Sequence, residues 1–88
     1  MKEILKNASV VDVRTPGEFL DGHYPGAINI PLNELSQRLD EFKELKMPIV
    51  AYCRSGARSG TAVSVLKQNG FNEVYNGGGL NDLFNLNA

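Results

Sequence analysis

The 88 residues contain no tryptophan, one cysteine, Cys53, and one histidine, His23. A lone cysteine can form no disulfide within the chain and has no second thiol to resolve an oxidised state, so C-x-x-C redox chemistry is excluded. One Cys and one His cannot assemble a structural zinc site of the usual ligands within one chain, and neither a metal nor a cofactor is expected. No apolar run approaches the ~20 residues of a membrane span, and the segment 1–7 is too polar for the core of a signal peptide. The expectation is a cytoplasmic protein with no membrane partner. Charge of one sign is lacking too: nine Lys and Arg stand against ten Asp and Glu, for a net charge of −1. That balance suggests neither a basic nucleic-acid surface nor disorder, and leaves room for a local basic patch that meets a small anion.

What is present suits one small domain, 1–88, without repeat or linker and at the lower end of domain size. Ser9-Val10-Val11-Asp12-Val13 and Ile49-Val50-Ala51-Tyr52 are short β-branched runs followed at once by turn residues, the pattern of buried strands. Thr15-Pro16-Gly17-Glu18 forms a capping box with proline at the first helical position, predicting a short helix from Pro16 to about Asp21 that Gly22 ends. Ala27 to Ile30 reads as a short strand stopped by Pro31. Leu35, Leu39 and Phe42 at i, i+4 and i+7 predict a helix within 33–45, one that can break in two. From Arg58 to Asn69 a helix places Ala62, Val65, Leu66 and Asn69 along one face, and Gly70 with Phe71 closes it in a Schellman ending. Glu73 to Tyr75 is a last strand, Asn76-Gly77-Gly78-Gly79 a tight loop, and Leu80 to Leu86 a frayed helix. This alternation predicts an α/β fold, a mostly parallel central sheet flanked by helices on both faces, with ligands at the carboxyl ends of strands.

Cys53 falls between the strand ending at Tyr52 and the helix beginning near Arg58, where a thiolate is best stabilised. A thiol of pKa ~8.5 is only a few per cent ionised at pH 7, and a useful nucleophile needs ~2.7 kcal/mol of help. A helix dipole supplies ~0.3–1 kcal/mol, so further donors are required. Small residues Ser55, Gly56 and Ala57 let the backbone curl around the sulfur with its N–H groups inward, and Arg54 and Arg58 add positive charge at the rim. The hydroxyls of Ser55 and Ser59 are open to two readings, as sulfur donors or helix caps, with the backbone donors preferred.

These residues carry a resemblance that extends over most of the chain. Asp12-Val13-Arg14, Glu18-Phe19, Gly22 to Ala27 and Asn29-Ile30-Pro31 resemble the first signature of the rhodanese family of single-domain sulfurtransferases. Cys53 to Ser59 resembles its active-site loop, and Gly70-Phe71 through Val74-Tyr75 to Gly78-Gly79 its C-terminal signature. The resemblance implies a rhodanese-like fold and thiosulfate sulfurtransferase activity. Cys53 would be the catalytic nucleophile that takes a sulfane sulfur from a small anionic donor and holds it as a persulfide for cyanide or a cellular or protein thiol. Arg54, Ser55, Gly56, Ala57 and Arg58 would bind the substrate. Tyr24, where the family most often has an aliphatic residue, and Leu83-Phe84, near a common family Trp, depart from the pattern.

His23 reads as a structural hydrogen-bonding residue, since a low-pKa thiolate needs no base. Asp12 is expected to orient the Cys53 loop and Arg14 to pair with Glu18. The glycine run lacks the Lys-Ser/Thr of a phosphate loop. A cysteine-dependent phosphatase or arsenate reductase would need C-x5-R, whereas this chain has C-x4-R and Ser59 at the arginine position. A persulfide carrier fed by a protein partner remains an alternative from a second class.

Overall fold

The computed structural model describes residues 1–86. In chain order the elements are α1 (Lys2–Leu5), β1 (Ser9–Asp12), α2 (Pro16–Leu20), β2 (Ile28–Asn29), a 3-10 helix (Leu32–Gln37), α3 (Leu39–Lys43), β3 (Ile49–Cys53), α4 (Ala57–Gln68), β4 (Val74–Gly79) and α5 (Leu80–Leu86). The four strands form one parallel sheet in the order β2-β1-β3-β4. Period-two alternation divides β3: Ile49, Ala51 and Cys53 face one layer, and Val50 and Tyr52 the other. The first layer packs Leu35, Phe42, Ala62 and Leu66 from the 3-10 helix, α3 and α4. The second packs Leu5, Phe19 and Leu83 from α1, α2 and α5. All five residues of β3 are buried, which explains why its sequence is a continuous apolar run.

Several expectations hold in detail. The region 33–45 is two helical pieces, because Arg38 at φ −121° leaves the helical range between them. Thr15 and Glu18 close a reciprocal capping box at the start of α2. Gly70, at φ +94°, ends α4, with the Phe71 N–H donating to the Leu66 carbonyl at 3.0 Å. Asn69 lies outside α4, where its side-chain amide donates to the Val65 carbonyl and stays exposed.

Two differences bear on the site. Lys2 to Leu5 forms a helical turn that buries Leu5, in a stretch too polar and short to announce itself. Asn76-Gly77-Gly78-Gly79 is the second half of β4, not a loop. Ala51 pairs with Asn76 and Cys53 with Gly79, so Gly77 and Gly78 oppose Tyr52 alone and the strand carries one extra residue. A Cβ on Gly77 would stand 2.8 Å from Val50 Cγ1 and 3.1 Å from Leu83 Cδ2. Glycine there lets β4 and α5 close on the sheet, and its lack of β propensity hides the strand.

The strand order makes β1 and β3 neighbours whose following helices cover opposite faces. A crevice therefore opens at their carboxyl ends, the switch point where parallel α/β sheets place ligands. Among the described residues no helix is long and apolar enough to cross a membrane.

Candidate active site

Cys53 is the last residue of β3 and is 1% exposed. The chain turns back over it because Gly56 takes a left-handed conformation, φ +101°, at the N-cap of α4. That turn aims the Gly56 N–H at Cys53 Sγ, 3.0 Å away. One turn into α4, the buried Ser59 hydroxyl stands 3.4 Å from the same sulfur. Burial pushes the thiol up and is the largest single influence. The Ser59 hydroxyl, followed by the backbone N–H groups of Ser59, Ser55 and Gly56, outweighs it and brings the pKa down to about 7. The donor set expected along Arg54 to Arg58 thus extends one residue further, and Ser59 acts on the sulfur, since Gly56 occupies the cap position.

The cradle is held from behind by β4. Gly79 passes so close to the Arg54 carbonyl that any Cβ would overlap it. Its N–H donates to Asp82 Oδ2 at 2.7 Å, so Asp82 caps α5 and keeps this strand end in place. Asn76 Oδ1 accepts from Ser59 Oγ at 2.7 Å, and Asn76 Nδ2 donates to the Gly56 carbonyl at 3.0 Å. Neither Asn76 nor Asp82 was expected at the site. The available signal was a polar residue interrupting an apolar strand immediately before glycines.

Beneath the loop lies a buried ionic network that corrects two expectations. Arg14 pairs with Asp12, not Glu18: its Nη2 is 2.6 Å and its Nε 3.0 Å from Asp12 Oδ2, and its backbone N–H is 2.9 Å from Oδ1. Four hydrogen bonds to a carboxylate only two residues away favour this local chelate over a partner on α2. The Tyr52 hydroxyl donates to Asp12 Oδ2 at 2.8 Å and accepts the Tyr24 N–H at 3.0 Å. Asp12 therefore orients the residue preceding Cys53 rather than the loop after it. Burial, with Asp12 adding to it, pushes the Tyr52 hydroxyl up to about 12, and the Asp12 carboxylate raises Arg14. His23 is structural, with Nδ1 2.9 Å from the Phe19 carbonyl and its ring stacked on Phe19.

Glu18 belongs to the rim. Its carboxylate receives Arg58 Nη1 at 2.7 Å and Nη2 at 2.9 Å, joining α2 to the first turn of α4. Arg58, followed by the Thr15 backbone N–H, holds the Glu18 carboxyl at about 2. The Arg54 side chain makes no hydrogen bond or ion pair among the described residues, and it lines a cleft of about 260 Å³ with Arg14, Glu18, Asp21, Leu80 and Asn81. Of the two rim arginines expected at the site, Arg54 offers a free charge and Arg58 a paired one. The two departures Tyr24 and Phe84 meet each other, their ring centroids 5.9 Å apart.

The molecule is thus a parallel α/β domain that presents an acidified thiol, at the end of a central strand, within a backbone cradle. The chain belongs to the rhodanese-like domain family, whose profile matches residues 1–83. It is 46% identical over 71 residues to YqhL of Bacillus subtilis, covering 81% of this chain and 56% of that protein. To the thiosulfate sulfurtransferase PspE of Escherichia coli it is 40% identical over 74 residues, covering 83% of this chain and 71% of that one. Among solved structures, a rhodanese with anions from E. coli superposes with a TM-score of 0.78 at 37% identity, over 85% of this chain and 89% of that one.

Proposed function

We propose that this domain is a sulfurtransferase that moves sulfane sulfur from a thiosulfate-like anion to a thiophilic acceptor through a persulfide on Cys53. The observation that carries the reading is the cradle: a thiol near pKa 7, with the Gly56 N–H at 3.0 Å and the Ser59 hydroxyl at 3.4 Å from its sulfur. In the first half-reaction the Cys53 thiolate attacks the outer sulfur of thiosulfate. A bond forms between Sγ and that sulfur, the sulfur–sulfur bond of thiosulfate breaks, and sulfite leaves with the electron pair. In the second, cyanide or a thiolate attacks the outer persulfide sulfur and Cys53 leaves as the thiolate.

The backbone donors from Ser55 to Ser59 hold negative charge on sulfur in both the resting and the leaving state. Arg54 recruits the anion as the unpaired charge at the cleft, and Arg58 adds positive potential from within its pair with Glu18. A phosphatase reading is disfavoured by Ser59, which fills the position a C-x5-R arginine would need and is fully buried against the sulfur. PspE, 71% of which the match covers, is a thiosulfate sulfurtransferase, which agrees with the donor class.

The test is the intact mass of the protein after brief exposure to thiosulfate, and again after cyanide. A gain of one sulfur, reversed by cyanide and absent in Cys53→Ala, is expected. No gain with thiosulfate but loading by a cysteine desulfurase would make the domain a carrier fed by a protein; no gain with either would refute the persulfide cycle.

A further inference from the structure

Asn76 makes three hydrogen bonds that together fix which way its amide points. Oδ1 accepts from the Ser59 hydroxyl at 2.7 Å and from the Gly78 N–H at 2.9 Å, and Nδ2 donates to the Gly56 carbonyl at 3.0 Å. Turning the amide over would set its oxygen against the Gly56 carbonyl and aim the Gly78 N–H at an NH2 group, losing two bonds. The amide oxygen is thereby held toward Ser59. A serine hydroxyl has one proton, and here it has two acceptors: Asn76 Oδ1 at 2.7 Å and Cys53 Sγ at 3.4 Å. While Cys53 is a thiol, its S–H can donate to Ser59 Oγ and Ser59 can donate onward to Asn76. Once Cys53 is a thiolate, the Ser59 proton is needed at the sulfur, and Asn76 Oδ1 retains the Gly78 N–H.

We propose that Asn76 is a positioning residue for the sulfur chemistry, acting on Cys53 through Ser59 by competing for its hydroxyl proton. Such competition lets one hydroxyl serve a sulfur whose charge comes and goes. The proton turns to Sγ when charge sits there and returns to Asn76 when the charge has moved to the outer sulfur of a persulfide. The inference rests on Cys53 being the nucleophile.

Ultraviolet titration of the thiolate tests it, with Cys53→Ala as the blank, because Cys53 is the only thiol. The other charged groups around the site, Arg54, Arg58 with Glu18, Asp12 with Arg14, and Asp82, are unchanged across the variants. Asn76→Ala removes the competitor, and the fraction of thiolate at a pH below the midpoint is expected to rise about threefold to tenfold. Ser59→Ala should shift the midpoint the other way. In the Ser59→Ala background, adding Asn76→Ala should move the midpoint no further. A midpoint that Asn76→Ala leaves alone or raises, or that moves equally in both backgrounds, would overturn the proposal in favour of a purely structural tether. Should Asn76→Ala fail to fold, Asn76→Asp keeps the acceptor. It should raise the midpoint more with Ser59 present than with Ser59→Ala, and equal shifts would overturn the proposal. The titration uses no sulfur donor, so its failure and a failure of persulfide loading are separately visible.

Discussion

Gly79→Ala is expected to damage both the fold and the thiol from outside the reacting loop. A Cβ at this position overlaps the Arg54 carbonyl oxygen and comes to 3.0 Å from the Arg54 carbonyl carbon, and both are backbone atoms that no side-chain rotation can clear. Restoring ordinary contact needs a displacement of about 1 Å, shared between β4 and the loop. Overpacking of this kind costs ~1–3 kcal/mol, and 1 kcal/mol lowers the Tm of a domain this size by ~4–8 °C. The displaced peptide lies two residues before the Gly56 N–H, which sits 3.0 Å from Cys53 Sγ. A misplacement of ~1 Å at a reacting group can cost ~100-fold in rate. Thermal unfolding followed by circular dichroism, thiolate titration and single-turnover sulfur loading should therefore report a lower Tm, a raised Cys53 midpoint and loading slowed by at least about tenfold. Gly17→Ala is the control, because its Cβ would meet nothing nearer than Thr15 Oγ1 at 4.0 Å. Unchanged Tm and unchanged loading in Gly79→Ala would refute the claim that β4 positions the loop by direct backbone contact.

Three further outcomes are expected. The loading rate should follow a single ionisation near pH 7, falling about tenfold per pH unit well below it and levelling above pH ~8; a flat profile from pH 5 to 9 would show that the thiolate is not the attacking species. Arg54→Ala should raise the KM for thiosulfate more than it lowers Tm, whereas Arg58→Ala should lower Tm as well because it breaks the bridge between α2 and α4; identical behaviour would show that the pairing with Glu18 does not separate their roles. Glu18, held at about 2 against an ordinary 4.5, stabilises the fold above the higher value and loses that contribution as pH falls from about 4.5 through about 2. In Glu18→Gln that acid-dependent component, ~1 kcal/mol for a pair about one-third exposed, should be missing from denaturation curves taken across this window.

The centre of the sheet and the helices α2 and α4 were legible because β1 and β3 are apolar runs and the two helices carry their own start or stop residues, Thr15 with Glu18 and Gly70 with Phe71. The loop from Cys53 to Arg58 was legible for a similar reason, since small residues between a strand and a helix leave the backbone as the ligand. The rest of the site depends on long-range pairings that no local pattern encodes. Arg58 is 40 residues from Glu18, and Tyr52 is 40 from Asp12. Spacing alone suggested Arg14 for Glu18, four positions on, but a carboxylate two residues away on the buried end of β1 claimed it first. The glycine-rich half of β4 escaped notice because glycine there serves close backbone approach, which leaves no trace in strand propensity.

The depressed ionisation of Cys53 ties proton release to folding. In an unfolded chain this thiol returns to its ordinary value near 9, whereas in the folded domain it loses its proton at about 7. Folding then releases a proton between those values. Native stability should rise as pH climbs from about 7 to 9, by up to ~2–3 kcal/mol once both states are ionised, and that increment is lost on acidification through 7. The bare thiolate acts as an internal ligand for its own loop, and a neutral cap on the sulfur removes that ligand. Alkylated protein should lack this alkaline gain, so the charge state of one atom sets how firmly the end of β3, the first turn of α4 and, through Asn76, β4 are held together.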